Sequence, residues 1–253
     1  MGGSEVSANS IPWQVGIAKP GNPRPSCGGT LISSKHVLSA AHCFDSTQRF
    51  YMTVFEIIVE EHYVHSRHDG TRHKVCSYAA HPEYHWEYRE YEEKRWDWRK
   101  IFSWSVRREI KVYFYDFAVI RMRVPVQLGT RAVPACLPEP SFKKEMLDGE
   151  LLTVSGWGRL KEGGKTPDVL HSVDVAASTN EQCKARSYVI RQLHGNGGFT
   201  NSMLCAGHDE AGIDACQGDS GGKLELIFIY ISIILSGRYH YPEIVNLIIV
   251  TQM

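Results

Sequence analysis

Ser220 stands in the stretch Asp214-Ala215-Cys216-Gln217-Gly218-Asp219-Ser220-Gly221-Gly222. A hydroxyl between a carboxylate and two glycines suits a nucleophile on a tight turn, because glycine lets the backbone pass a bound carbonyl with no Cβ in the way. The N–H groups of Gly218 and Ser220 would then face one small concavity, which is what holding an oxyanion requires. Taken alone, the stretch is equally an ordinary loop. A serine hydroxyl is a poor nucleophile until a base takes its proton, so the rest of the chain must supply a base and a carboxylate. His42, in Ala40-Ala41-His42-Cys43, offers the base, since an imidazole ordinarily titrates near the pH at which proton transfer is useful. Asp116 leads the apolar run Phe117-Ala118-Val119-Ile120, which would draw it into the interior. There it could hold the second ring N–H and stabilise an imidazolium. In isolation, Asp116 reads as a strand-end cap and His42 as a packed residue beside a cysteine.

The elements that must position these groups read as short strands. Ile11-Pro12-Trp13-Gln14-Val15-Gly16-Ile17 alternates apolar and polar residues. Cys27–Ser33 and His36–Ser39 form two strands around a Ser34-Lys35 turn and lead directly to His42. Cys27 and Cys43 can close a short loop, worth about 3 kcal/mol in the chain-entropy model, and a bridge there would hold the backbone of His42 rigid. Leu151–Ser155, Val169–Val175 and Met203–Gly207 read as further strands, and Asn180 caps a helix running to Gln192. The loop Gly195-Asn196-Gly197-Gly198 lacks the strand–helix context of a phosphate site. Many short strands with regular turns make the chain all-β.

With 253 residues the chain has ample length for a sizeable core. Lys plus Arg number 28 and Asp plus Glu number 28, so nothing argues for nucleic acid or an anionic membrane as a general partner. Seven cysteines suit an oxidising compartment, and the odd count leaves at least one thiol without an internal partner. Met1-Gly2-Gly3-Ser4-Glu5 has neither the basic start nor the apolar run of a signal peptide. The apolar run from Leu224 to Leu235 is too short for a membrane span, which needs about 17–25 residues.

Cys27-Gly28-Gly29-Thr30-Leu31-Ile32, Ala40-Ala41-His42-Cys43, Asp116-Phe117-Ala118-Val119-Ile120-Arg121, Pro134-Ala135-Cys136-Leu137-Pro138, Val154-Ser155-Gly156-Trp157-Gly158 and the Ser220 stretch occur in this order. Together they resemble the chymotrypsin/trypsin family of serine endopeptidases over residues 2 to 222, with gaps. The resemblance implies two six-stranded barrels. One covers residues 1–125 and carries His42 and Asp116; the other covers 126–253 and carries Ser220. It implies a triad of Ser220, His42 and Asp116, with Gly218 and Ser220 forming the oxyanion hole. Asp214 would lie at the bottom of the primary pocket and select Arg or Lys, because a buried carboxylate needs a cationic partner. Asp219 would accept the N-terminal ammonium formed on activation. The resemblance also implies bridges Cys27–Cys43 and Cys183–Cys205, with Cys76, Cys136 and Cys216 unpaired. It further implies an extracellular monomer that acts on protein or peptide substrates and meets protein inhibitors, with no cofactor.

Several features depart from the family pattern. His42 and Asp116 stand 74 residues apart, against roughly 45 in the family's type enzyme. The excess lies at about 84–115, a segment mixing Trp86, Trp96, Trp98 and Trp104 with charged runs. It reads as a long surface excursion, with an exosite or substrate lid as the sharper alternative. His62, His65, His68 and His73 lack compact zinc spacing. In the segment resembling the family's calcium loop, Glu61 fits one carboxylate position, but His68 and Thr71 replace other acids. No metal is expected. The start Met1-Gly2-Gly3 is one residue short of the family's aliphatic pair. From Lys223 the sequence lacks the family's Ser-Trp-Gly strand and final helix, so one buried strand followed by a misfit, and an incomplete second barrel, are expected. These departures leave open a catalytically impaired homologue, or a truncated or aberrant product, that cleaves little and acts, if at all, by binding.

Overall fold

The strands run, in chain order, β1 (Ser4–Glu5), β2 (Gln14–Ala18), β3 (Cys27–Ser33), β4 (His36–Ser39), β5 (Glu56–Val59), β6 (Thr71–Ala80), β7 (His85–Asp97), β8 (Phe102–Phe114) and β9 (Ala118–Met122). They belong to a computed structural model that describes residues 3–45, 55–64, 69–97, 102–137, 141, 147–160, 165–200, 203–207, 223–226, 229–234 and 248–251. Six of them close a barrel in the order β2-β3-β4-β9-β6-β5. Apolar residues two apart point the same way along a strand. Val15 and Ile17, Ile57 and Val59, and Ala118, Ile120 and Met122 therefore fill one interior together with Leu31 and Val37. Gly29 is required by this packing: a Cβ there would meet Val37 Cγ1 at 2.8 Å and Val15 Cγ2 at 3.0 Å.

The later elements are β10 (Leu151–Gly156), β11 (His171–Ser178), helices α1 (Asn180–Arg186) and α2 (Tyr188–Gly195), then β12 (Met203–Gly207), β13 (Lys223–Leu226), β14 (Ile229–Ile234) and β15 (Ile248–Thr251). Their strands form a sheet ordered β1-β11-β10-β13-β14-β15-β12, in which β12 also pairs with β11. The pairing thus returns on itself. This corrects the expectation of one strand and a misfit after Lys223, since that segment contributes three antiparallel strands, with Lys223 opposite Ser232 and Ile234 opposite Ile249. The physical reason is that runs rich in Ile, Val and Leu pair wherever β10 and β12 present free edges. The Ser4–Glu5 strand pairs with β11 despite lying at the start of the chain.

The helix expected from Asn180 to Gln192 is two. Thr179, rather than Asn180, is the N-cap of α1: its hydroxyl accepts from the Gln182 N–H, while the Gln182 side chain accepts from the Thr179 N–H. Ser187 interrupts the pattern with extended backbone and caps α2 through the Ile190 N–H. A disulfide joins Cys183 on α1 to Cys205 on β12.

The barrel and the second sheet meet through polar contacts, one of them fully buried. Ser155 donates to Gln14 Oε1 at 2.9 Å, and Trp157 Nε1 donates to the His62 carbonyl at 3.3 Å. Val64 N–H bonds Asp168 O at 2.8 Å, and Leu170 N–H bonds His62 O at 3.1 Å.

The loop between β5 and β6 is held from within. Asp69 accepts from the backbone N–H groups of His62 and Tyr63 at 2.8 and 2.6 Å. Arg131 reaches both Asp69 and the Glu60 carbonyl. Gly70 adopts φ +85° with the Glu61 Cβ 3.0 Å from where its own Cβ would stand. Glu61 is buried, and its Oε2 has no hydrogen-bond partner. Burial pushes its carboxyl up to about 8, against the pull of Arg72 and with a further push from Asp69. The folded state therefore keeps a proton that the unfolded chain loses above its ordinary value of 4.5. Any stability linked to this group is full below that value and falls as pH rises towards about 8. Urea midpoints for Glu61→Gln should fall less between pH 5 and pH 8 than those of the unaltered protein. Parallel slopes would show that Glu61 is not the group responsible.

Candidate active site

His42 lies on a short 3-10 turn, Ala41–Phe44, directly after β4. Ala40 and Ala41 are small enough to sit fully inside the barrel, so the turn is pressed against the core and the ring is pushed outward. Cys43 is bridged to Cys27 on β3, with Cα atoms 6.3 Å apart, and the Ser39 hydroxyl donates to Gly28 O at 2.8 Å. The backbone bearing the imidazole is thereby tied to the barrel on both sides of the ring.

Asp116 arrives from the opposite direction, between β8 and β9. Tyr115, just before it, takes φ 49°, a left-handed conformation costing a non-glycine residue about 1–2 kcal/mol. The surroundings hold it there: the Phe117 N–H bonds Tyr115 O at 2.8 Å, and the His81 ring lies against both Tyr115 and Phe117. The reversal turns the Asp116 carboxylate inward, where its exposure is 0%. One oxygen accepts the His42 backbone N–H at 2.7 Å, and the other meets His42 Nδ1 at 2.5 Å. A buried carboxylate that takes both bonds from one residue fixes that residue's ring and favours the proton on Nδ1. The partly exposed Nε2 is then left as the acceptor.

Around this pair stands a second group that the sequence did not single out. The Tyr113 ring lies 4.9 Å from the His42 ring, tilted by 35°. Lys111 Nζ sits 4.6 Å from the Tyr113 ring, 4.0 Å from the Trp86 ring and 3.4 Å from Asp45 Oδ2. Burial alone would lower the Lys111 ammonium, but Tyr113 and Asp45 outweigh it and hold it above its ordinary value. Asp45 closes the turn that bears His42 and accepts the Tyr84 hydroxyl at 2.7 Å.

These contacts come from the 84–115 segment, which is more than a surface excursion. β7 and β8 pair from His85 opposite Phe114 to Asp97 opposite Phe102. One face, with Tyr91, Ile110, Val112 and Phe114, packs on Cys183, Ile190, Leu193, Phe199, Met203 and Cys205. Burial of such side chains is worth about 1.5–3 kcal/mol each. The Gln192 side chain donates to Glu92 O and accepts from the Glu92 N–H, so α2 holds the hairpin as a neighbouring strand would. The signal was present in the alternation Ile110-Lys111-Val112-Tyr113-Phe114, which the interleaved charges obscured.

Ser220, Gly218, Asp214, Asp219 and Cys216 lie outside the described residues, as do His65 and His68. Cys76 and Cys136 are free and exposed. Of the histidines whose spacing argued against a zinc site, His62 meets Glu5 and His73 meets Thr71. Among the described residues, the grouping able to face a metal is Cys27, His42 and Cys43, and its two sulfurs are spent in the disulfide. They are not the thiolates that a metal needs.

The chain matches the sequence model of the family described as Trypsin over residues 1–226. It is 33% identical over 225 residues to ovochymase-2 of Mus musculus, a match covering 88% of this chain and 32% of that protein. To the clotting factor G beta subunit of Tachypleus tridentatus it is 31% identical over 224 residues, covering 88% and 64%. To serine proteinase stubble of Drosophila melanogaster it is 29% identical over 232 residues, covering 89% and 25%. The chain thus spans less than two thirds of each of these relatives.

The Tyr84 hydroxyl tests the electrostatics beside His42. Burial first, then its bond to Asp45 and the nearby Asp116 carboxylate, raise it well above an ordinary phenol. Exposed tyrosines ionise near pH 10. In an alkaline ultraviolet titration, Tyr84→Phe should therefore remove no amplitude from that transition while the protein stays folded. A loss of one tyrosine's amplitude near pH 10 would mean the hydroxyl is not held as described.

Proposed function

We propose that this chain, which belongs to the trypsin family of serine proteases, hydrolyses peptide bonds after Arg or Lys through Ser220, His42 and Asp116. The observation that carries this reading is the fully buried Asp116 carboxylate taking both the backbone N–H and Nδ1 of His42. A carboxylate confined in this way has a clear use if the imidazole must accept a proton at Nε2 and carry a positive charge for part of each cycle.

In this mechanism the Ser220 hydroxyl attacks the scissile carbonyl carbon while His42 Nε2 takes its proton. The carbonyl electron pair moves onto oxygen, where the Gly218 and Ser220 N–H groups receive it. Collapse of this intermediate breaks the carbon–nitrogen bond, and His42 returns the proton to the leaving amine. Water then repeats the sequence on the acyl-enzyme. Asp214 at the base of the pocket would pair with the guanidinium or ammonium of the residue whose carbonyl is attacked. Asp219 would accept an N-terminal ammonium and so order the oxyanion hole.

The natural partners in this reading are protein or peptide substrates, and protein inhibitors shaped like them. Two disulfides among the described residues suit an extracellular setting. No helix among the described residues is long and apolar enough to cross a membrane. We place the division of the chain near residue 125, with His42 and Asp116 before it and Ser220 after it, in a protein acting as a monomer.

Turnover of an Arg-ester and of a matched Arg-amide decides the proposal. Cleavage should be abolished by Ser220→Ala and should fall about 10⁴-fold in Asp116→Asn, the magnitude found in the family's type enzyme. Asp214→Ser should remove the preference for Arg and Lys over apolar residues. A well-folded chain with no Ser220-dependent turnover would instead favour a homologue that acts by binding.

A further inference from the structure

The β7–β8 hairpin has a second face. Side chains alternate along each strand, so the residues not packed on α2 form cross-strand rows on the outside: Trp86 with Tyr113, Tyr88 with Lys111, Glu90 with Glu109, and Glu92 with Arg107. The first row lies against the His42 ring through Tyr113, so this face begins beside the imidazole of the candidate active site. It is also open. Trp86 is 44% exposed and Tyr88 60% exposed, and Glu90, Glu92, Arg107 and Glu109 are all exposed.

The face changes character with distance from His42. The first two rows are aromatic, with the one cation, Lys111, turned to Asp45. The next two rows hold three carboxylates against Arg107, which reaches Glu90 at 3.7 Å, and the register continues beyond them with Lys94 opposite Ser105. Glu90 and Glu109 stand directly opposite one another, and like charges so placed destabilise a strand pair. The packing of the other face offsets this arrangement, and a cation laid across the row would relieve it further.

We propose that the outward face of this hairpin is a docking surface for a basic segment of the polypeptide substrate that enters the same cleft. This rests on the endopeptidase reading above and adds to it a requirement away from the cleaved bond. Rows two residues apart are separated by about 6.8 Å, which places the Glu90–Glu109 row about 14 Å from the Tyr113 row. An extended peptide covers that distance in about four residues. The matching substrate thus passes Tyr113 beside the scissile bond and carries Lys or Arg about four to six residues away. The aromatic rows take the side chains between.

The test uses synthetic peptides with one shared scissile Arg and either Lys-Lys or Ala-Ala placed four to six residues from it, on each side in turn. For one side, the Lys-Lys peptide should have a kcat/KM higher by about three- to tenfold at low ionic strength, the range expected of a few exposed ion pairs, with the gain mostly in KM. The gain should shrink at high salt and vanish in Glu90→Gln/Glu109→Gln, while turnover of a short Arg-ester stays unchanged. Equal kcat/KM for the paired peptides on both sides, or a gain that survives the double substitution, would overturn the docking surface.

Fluorescence anisotropy with the Ser220→Ala chain separates this result from a failure of the catalytic reading. A Lys-Lys peptide that binds more tightly than its Ala-Ala partner, in a manner dependent on Glu90 and Glu109, supports the surface even if no peptide or ester is turned over. Turnover without any such preference in binding or cleavage leaves the protease reading intact and sinks the surface.

Discussion

The Asp116 carboxylate has no solvent, and its oxygens are satisfied by His42. An unpaired charge in that position would be prohibitively costly, so Asp116 can be buried only if the His42 backbone and ring are already in place. The converse also holds, because a ring on a four-residue 3-10 turn has little of its own to fix its orientation. The surrounding scaffold serves this mutual dependence. β4 and β9 are neighbours in the barrel, with Ser39 opposite Ala118, so the ends of two paired strands deliver the two residues to each other. The Cys27–Cys43 bridge and the left-handed Tyr115 then set the final approach from either side.

This arrangement explains which parts of the site could be read from the sequence. Ala40-Ala41-His42-Cys43 and Asp116-Phe117-Ala118 specify local environments: small residues before the histidine, a cysteine that anchors it, apolar residues after the acid. Short-range chemistry of this kind leaves a trace in residue order. The pairing of β4 with β9 spans 74 residues between His42 and Asp116 and leaves no trace beyond two apolar runs. Only the resemblance to a known family connected them in advance. The cap of α1 illustrates a smaller limit. Thr179 and Asn180 are both good caps, and the reciprocal bond with Gln182 decided between them.

The 84–115 hairpin was the least legible element, for a physical reason. Its outward face is charged and aromatic, and its inward face interleaves Tyr91, Ile110, Val112 and Phe114 with Arg89 and Arg108. Hydrophobic alternation identifies a strand when one face meets a continuous core. Here the core is a small cluster shared with α2 and β12 from the far end of the chain, and much of the hairpin extends past it. The tail after Lys223 is hard to read in the opposite sense: its run is almost wholly apolar, so its alternation is faint. It became legible as strands only through the edges of β10 and β12 that it pairs with.

The hairpin also shapes the surroundings of the His42–Asp116 pair. Lys111 and Tyr113 lie on β8, which ends at Phe114 just before Tyr115, and Tyr113, Asp45 and Tyr84 all crowd the turn that bears His42. The hairpin is simultaneously fixed to α2 by Gln192 and Asn196. A two-stranded ribbon is only marginally stable alone, so its position depends on contacts at both ends. Any molecule that binds its outer face must act on a ribbon clamped to α2 at one end and to the imidazole's surroundings at the other. The long insertion before Asp116 therefore need not be tolerated at a distance from the chemistry. It is built against the turn that bears His42, and the strand that leads to Asp116 also carries Tyr113 to the imidazole.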